Sequence, residues 1–306
     1  MSPKAKGEFD RLREIFARLG PKAGELGDDC ALVPIGGTTL ALSIDCSIEG
    51  IHFRTDWLTF EEIGWRSTAA ALSDLAAEGA EPVGVLVSVG MPGGVDHSVE
   101  IMSGVGAAAQ SVGAKVLGGD LTRSEQYLVD VCVLGTAERP VRRAGAQVGD
   151  GVWVTGRLGG AALALAGYRS GSAGTRPGGG GALGRRYSHP EPRIAAGRWL
   201  AAHGATAMID ISDGLAADAG HLAAASGVGL AIALEQLPCW DGVAPIAAAA
   251  SGEEFELLVT LPPAFKGTPD FELTRIGECV RGGGVRLLEG NTPVALPAGY
   301  DHFAPS

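Results

Sequence analysis

Short apolar runs of strand length alternate along this chain with longer, alanine-rich stretches at helical spacing, and glycine or aspartate marks most of the changes. Such a chain must build sheets covered by helices, because neither element can bury its apolar side alone. Helical spacing predicts helices over 9–19, 60–78, 95–112, 191–203 and 212–225, the first stopped by Gly20-Pro21. Strand-forming runs fall at 39–44, 83–89, 115–117, 127–135, 206–211, 228–234, 255–261 and 271–279, and Gly151–Thr155 opens a second half. The mixture runs through both halves with no longer repeat, which predicts an α+β or α/β chain. With 306 residues there is room for two domains, and Glu138-Arg139-Pro140 marks a division into 1–139 and 140–306.

Composition removes several classes. Glycine contributes 48 residues without any G-X-Y period, so a collagen-like chain is excluded. Much of it gathers in residues 170–186, a low-complexity stretch expected to be a mobile loop in the second half. The net charge is −11 and the basic residues are scattered, which argues against a nucleic-acid surface. Five cysteines lie far apart with no C-x-x-C, so neither a disulfide framework nor a zinc knuckle is expected. There is no apolar signal core and no run approaching the ~18 residues of a membrane span. A soluble, cytoplasmic protein without a membrane partner is expected.

Acidic residues recur where an apolar run ends or a glycine turn begins: Gly27-Asp28-Asp29, Ser43-Ile44-Asp45, Leu72-Ser73-Asp74, Gly118-Gly119-Asp120 and Asp210-Ile211-Ser212-Asp213-Gly214. Each is also a common turn sequence, and Ser212 reads as a helix N-cap with Asp213 in the first turn. Carboxylates at strand ends can nevertheless converge on one crevice. Hard oxygen donors without paired thiolates or an H-E-x-x-H suit Mg²⁺ rather than zinc. No G-x-x-x-x-G-K-[ST] is present, Gly104-Val105-Gly106 does not complete a G-x-G-x-x-G, and no G-x-S-x-G elbow occurs. Phosphoryl transfer, which needs mainly cations and positioning, fits this set best.

The same motifs, with Glu49-Gly50-Ile51-His52-Phe53, Ser251-Gly252-Glu253-Glu254-Phe255 and Gly299-Tyr300-Asp301-His302-Phe303, come in an order that resembles the thiamine-monophosphate kinase family. That family belongs to the aminoimidazole ribonucleotide synthetase-like superfamily, and the resemblance runs from about residue 7 to 303. It implies an N-terminal mixed-sheet domain that binds ATP and Mg²⁺ and pairs in a homodimer, followed by a C-terminal α/β domain. It implies transfer of the γ-phosphoryl of ATP to thiamine monophosphate, the last step of thiamine diphosphate synthesis. Asp28, Ser43, Ile44 (through its carbonyl), Asp45, Asp74, Asp120, Asp210 and Asp213 match its Mg²⁺ ligands, with Asp45, Asp74, Asp120 and Asp210 as the catalytic set. Gly119, Asp120, Arg143 and Ser212 match its ATP contacts; His52, Glu253 and Tyr300 match its thiamine phosphate contacts. Three positions depart: Ser251-Gly252-Glu253-Glu254 replaces Gly-Gly-Glu-Asp, Ile44-Asp45-Cys46 replaces Thr-Asp-Thr, and the adenine-side tyrosine expected near Gly104 is missing. The small residues of 69–77 would suit packing between copies. Two other readings stay open: another ATP-using synthetase of the superfamily (selenophosphate or purine-pathway), and a nucleotide-binding regulator without turnover.

Overall fold

The computed structural model describes residues 7–24, 26–171, 181–300 and 302–303. Among the described residues two mixed sheets form. The first contains β1 (Ala31–Ile35), β2 (Thr38–Ile48), β3 (Glu81–Met91), β4 (Lys115–Arg123) and β5 (Leu128–Ala137), in the order β1-β2-β5-β3-β4. Only β3 and β4 pair in parallel. On β5 the period is two: Val129, Val131 and Val133 are buried while the residues between them are partly exposed. The valine side lies under α2 (Phe60–Ala77) and α3 (Ser98–Ser111).

Helix α2 starts at a capping box in which Thr59 and Glu62 satisfy each other's backbone N–H groups. It crosses α3 at two glycines. A Cβ on Gly64 would lie 1.9 Å from the Ile101 carbonyl oxygen, and one on Gly104 would lie 1.9 Å from that of Glu61. Gly104 is therefore a helix-packing residue, since any side chain at that position would run into the backbone of α2.

The second sheet contains β6 (Gly151–Thr155), β7 (Ala207–Asp210), β8 (Gly229–Ala233), β9 (Leu257–Leu261), β10 (Leu273–Val280), β11 (Gly284–Glu289) and β12 (Thr292–Val294). Their order is β12-β11-β8-β10-β6-β9-β7, and only β8 and β11 are parallel. One face, with Val152, Val154, Ile209 and Leu258, packs beneath α7 (Leu215–Ser226). The other face, with Met208, Leu257, Val259 and Leu261, joins the apolar core that holds α2, α6 (Ile194–Ala202) and the valines of the first sheet. Helices α1 (Glu8–Leu19), α4 (Gly160–Ser170), α5 (Ala182–Ser188) and α8 (Pro245–Ala249) complete the α-helices among the described residues. Among the described residues no helix is long and apolar enough to cross a membrane.

Several expectations change. Residues 172–180 of the expected loop lie outside the described residues, but 182–186 form the start of α5, where Arg186 is buried in ion pairs with Glu254 and Glu256. Strand β4 continues through Gly118-Gly119-Asp120 rather than ending before it. Helix α7 begins at Leu215, with Gly214 (φ 111°) as N-cap, so Ser212 caps nothing. The alanines of 69–77 are used inside the chain: a Cβ on Gly197 of α6 would lie 2.0 Å from the Ala76 carbonyl oxygen.

Candidate active-site cleft

A cleft of about 860 Å³ opens between the two halves. Its walls come from β2 and α2 on one side, and from the turn after β7, the 250–255 segment, residues 298–300 and His302 on the other. Asp74 and Asp210 line it, and carboxylate oxygens of Asp29, Asp74 and Asp210 lie within 4.8 Å of one another. Three unrelated elements supply them: the turn before β1, the end of α2 and the last residue of β7. Ser43 on β2 donates its hydroxyl to Oδ2 of Asp74 at 2.5 Å. Asp45 and Asp213 line the same cleft, as does Ile44, whose side chain is largely exposed.

Three carboxylates at this range repel, and burial adds to the cost of charging them. Desolvation, followed by Asp210, raises the Asp74 pKa well above its ordinary value. Desolvation followed by Asp29 brings Asp210 up to about 7, and desolvation followed by Glu253 brings Asp45 up to about 6. Asp29 is also raised by burial, although Arg143 donates from Nη2 to its Oδ1 at 2.6 Å. A buried cluster of hard oxygens with more negative charge than its neighbours offset is suited to Mg²⁺.

Not every expected ligand joins this cluster. Asp28 turns to the Arg143 backbone N–H at 2.7 Å, and its neighbour Asp29 takes the place beside Asp74. Asp120 is also elsewhere. It pairs in register with Ser88, Ser88 with Asp130, and Asp130 with Cys46, whereas Asp45 lies in the adjacent row with Val131, Val87 and Gly119. Alternation along the strands puts Asp120 on the opposite face of the sheet from Asp45, so a single chain does not bring it to the cluster. Gly119 is held against β3, where a Cβ would lie 1.9 Å from the Val87 carbonyl oxygen.

The outer part of the cleft has different chemistry. Arg66 is buried; its Nη2 lies 2.5 Å from Oε1 of Glu253, and its guanidinium carbon is 3.8 Å from the ring centroid of Tyr187. Glu253 (φ 58°) and Phe255 (φ 49°) are the non-glycine residues with left-handed backbone among those described, a strained conformation characteristic of functional segments. The Ile48 N–H donates to Nδ1 of His52 at 3.0 Å, and burial pushes the His52 pKa down, which keeps the ring neutral. His302 lies 5.0 Å from His52 and 4.8 Å, edge-on, from half-exposed Tyr300. Glu254 faces away: its Oε1 accepts from the N–H groups of Gly159 and Ala161 at the start of α4.

Sequence reasoning missed Asp29, Arg66 and His302. Arg66, Ala70 and Asp74 follow one another at four-residue steps along α2 and all line the cleft. That spacing was the available signal for Arg66.

The two sheets around this acidic cleft are those of the AIR synthase related proteins, whose N-terminal domain matches residues 27–137 and whose C-terminal domain matches residues 147–287. The Thiamine-monophosphate kinase of Halobacterium salinarum is 38% identical over 261 residues, 82% of this chain and 85% of the relative. That of Aquifex aeolicus is 34% identical over 315 residues, 99% of this chain and all of the relative. A solved structure described as AaThiL complexed with AMPPCP and TMP superposes with a TM-score of 0.90 at 33% identity, covering 99% of both chains. The chain belongs to the thiamine-monophosphate kinase family.

Proposed function

We propose that the chain transfers the γ-phosphoryl group of ATP to the phosphate of thiamine monophosphate, releasing ADP and thiamine diphosphate. The likeness to a structure holding AMPPCP and TMP, over 99% of both chains, is the observation that carries this reading. The acceptor is a phosphate oxygen, largely ionised at neutral pH, so no side chain needs to act as general base, and neutral His52 serves to orient rather than to move a proton.

The main barrier is repulsion. Two unit charges 4 Å apart cost about 4 kcal/mol at an effective dielectric near 20, and several such pairs must meet in line. Asp29, Asp74 and Asp210, with Asp45, Asp213 and the Ile44 carbonyl along the cleft, are the residues that would hold Mg²⁺. Bound there, Mg²⁺ supplies the positive charge that lets two polyanions approach and that screens the loose transition state. Ser43 orients Asp74, and Arg143 orients both members of the Asp28-Asp29 turn. Arg143 and Ser212 lie on the ATP side. On the acceptor side Arg66 holds Glu253 in place, and Glu253 and Tyr300 face the cationic thiazolium by charge and by cation–π attraction, with His52 beside them.

A division near residues 139 and 140 gives the first half ATP and Mg²⁺ binding and dimerisation. The exposed face of the first sheet, which carries Ile44, Leu86 and Asp120, is the surface assigned to a second copy. Gly119 and Asp120 then belong to the ATP side of the assembled dimer. Free thiols at all five cysteines suit the cytoplasm.

The test is ADP release measured in Mg²⁺ with and without thiamine monophosphate. Release that depends on the acceptor is expected. Equal release in both, or none in either, overturns the assignment and favours another synthetase or a regulator.

A further inference from the structure

The turn that carries Asp210 and Asp213 into the cleft is held from two sides. Its carbonyls accept from the acceptor side of the site: Ile211 O from the Phe255 N–H at 2.9 Å, Ser212 O from the Glu253 N–H at 2.6 Å and Asp213 O from the Tyr300 N–H at 3.3 Å. The amides of Ser212 and Asp213 are both taken by one oxygen, Oδ2 of Asp218, at 3.1 Å each. Asp218 sits in the first turn of α7 and is 2% exposed.

This is not ordinary helix capping. A capping side chain precedes the helix and accepts from amides of its first turn. Asp218 reaches backwards, past the N-cap Gly214, to amides that precede the helix. Those two N–H groups lie near a helix N-terminus, where an incoming phosphate would otherwise find free donors. The chain's own carboxylate already fills that place, so neither amide is available to a phosphate.

We propose that Asp218 is a positioning residue: by fixing the amides of Ser212 and Asp213, it sets the turn so that Asp210 and Asp213 present their carboxylates to cations in the cleft. Cation binding then depends on a side chain that touches neither cation nor substrate. The kinetic part of this inference rests on the phosphoryl-transfer reading above; the cation-binding part does not.

The test compares Asp218→Ala, Asp218→Ser and Asp218→Asn with wild type. The first readout is the Mg²⁺ concentration at half-maximal thermal shift of the protein alone, and the second is the KM for ATP and for thiamine monophosphate. Asparagine keeps an acceptor oxygen at the same reach and is expected to stay within about threefold of wild type in Mg²⁺ midpoint, whereas alanine raises that midpoint about tenfold or more, as loss of an outer-shell partner does. The KM for ATP rises with it, and the KM for thiamine monophosphate changes far less. Serine is too short to reach both amides and gives the same result where the alanine variant does not fold. A folded alanine or serine variant with a lower Tm but an unchanged Mg²⁺ midpoint reduces Asp218 to a structural residue and overturns the proposal. So does an asparagine variant as impaired as alanine. Should wild type lack acceptor-dependent ADP release, the kinase reading fails while the Mg²⁺ midpoints still decide the role of Asp218.

Discussion

The Ser43 hydroxyl donates to Oδ2 of Asp74 across 2.5 Å and so ties the middle of β2 to the end of α2 at the most acidic point of the cleft. One carboxylate oxygen is thereby fixed in direction while its neighbours Asp29 and Asp210 repel it. Replacing Asp74 by asparagine keeps the shape and removes one charge from a buried cluster that lacks enough counter-charge. Turnover is expected to fall at least about a hundredfold through weakened cation binding, while the Tm of the cation-free protein stays level or rises. Steady-state kinetics across a Mg²⁺ series and a thermal melt of the same preparation check both halves of the statement.

Stability of the cation-free protein should depend on pH with a definite sign. Asp210 and Asp45 are raised from 3.8 to about 7 and about 6, first by burial and then by Asp29 and Glu253 respectively. A raised folded pKa means that the folded chain binds protons more tightly than the unfolded one. That stabilisation is complete below 3.8 and is lost as pH climbs through the folded values. In chelator the Tm should therefore fall between about pH 5 and about pH 8, and Mg²⁺ should restore most of the loss at the upper end. Calorimetry at a series of pH values reads this directly, and a flat profile in chelator contradicts it.

The ion pair of Arg66 with Glu253 joins a buried cation to a strained cleft residue, and its two sides should respond differently. Glu253→Gln is expected to raise the KM for thiamine monophosphate about tenfold, in line with the loss of a charged contact, and to leave the KM for ATP nearly unchanged. Arg66→Met removes a guanidinium that also donates to the carbonyls of His52 and Tyr187. It should cost about 3 kcal/mol of folding stability by leaving partners unpaired. Urea unfolding and two-substrate kinetics separate these outcomes.

Gly104→Ala tests the reading of that glycine as a packing residue. Its new methyl would meet the Glu61 carbonyl where α2 and α3 touch, which should cost about 3 kcal/mol, at the upper end for overpacking. The KM for ATP of the folded fraction should not change. A raised KM for ATP at unaltered stability would instead return Gly104 to the nucleotide site.

Elements with strong periodicity were readable in advance. The helix over 60–78, with Asp74 near its end, differs by one residue from α2, because an uninterrupted alanine-rich stretch without Pro favours helix along its whole length. What sequence could not resolve was direction. In Gly27-Asp28-Asp29 the two carboxylates are chemically identical, and Arg143, more than a hundred residues away, tells them apart: its backbone N–H takes Asp28, while its guanidinium takes Asp29, which stays in the cluster. At Gly118-Gly119-Asp120 the error was of phase: an apolar run that looked finished continues as β4, and strand alternation then sets Asp120 on the far face. Ser212 looked like an N-cap because a serine before an apolar run usually is one, but the helix starts only at Leu215 with Gly214 as its N-cap, which leaves Ser212 two residues too early. Arg186 was hidden in a stretch whose glycines suggested only a loop, although its partners Glu254 and Glu256 lie about seventy residues further on.

Helix α2 is enclosed along most of its length, between the first sheet and the α6–β7 region, and at Ala76 it leaves no room for even a methyl group on Gly197. Many kinases shut around their substrates by swinging one lobe about a pivot. Here both jaws grow from one piece of close-packed interior, and prying them apart would rupture it. A wider aperture would come at the expense of that packing, so the spacing of the aspartates is tied to the same interior that holds the two sheets together.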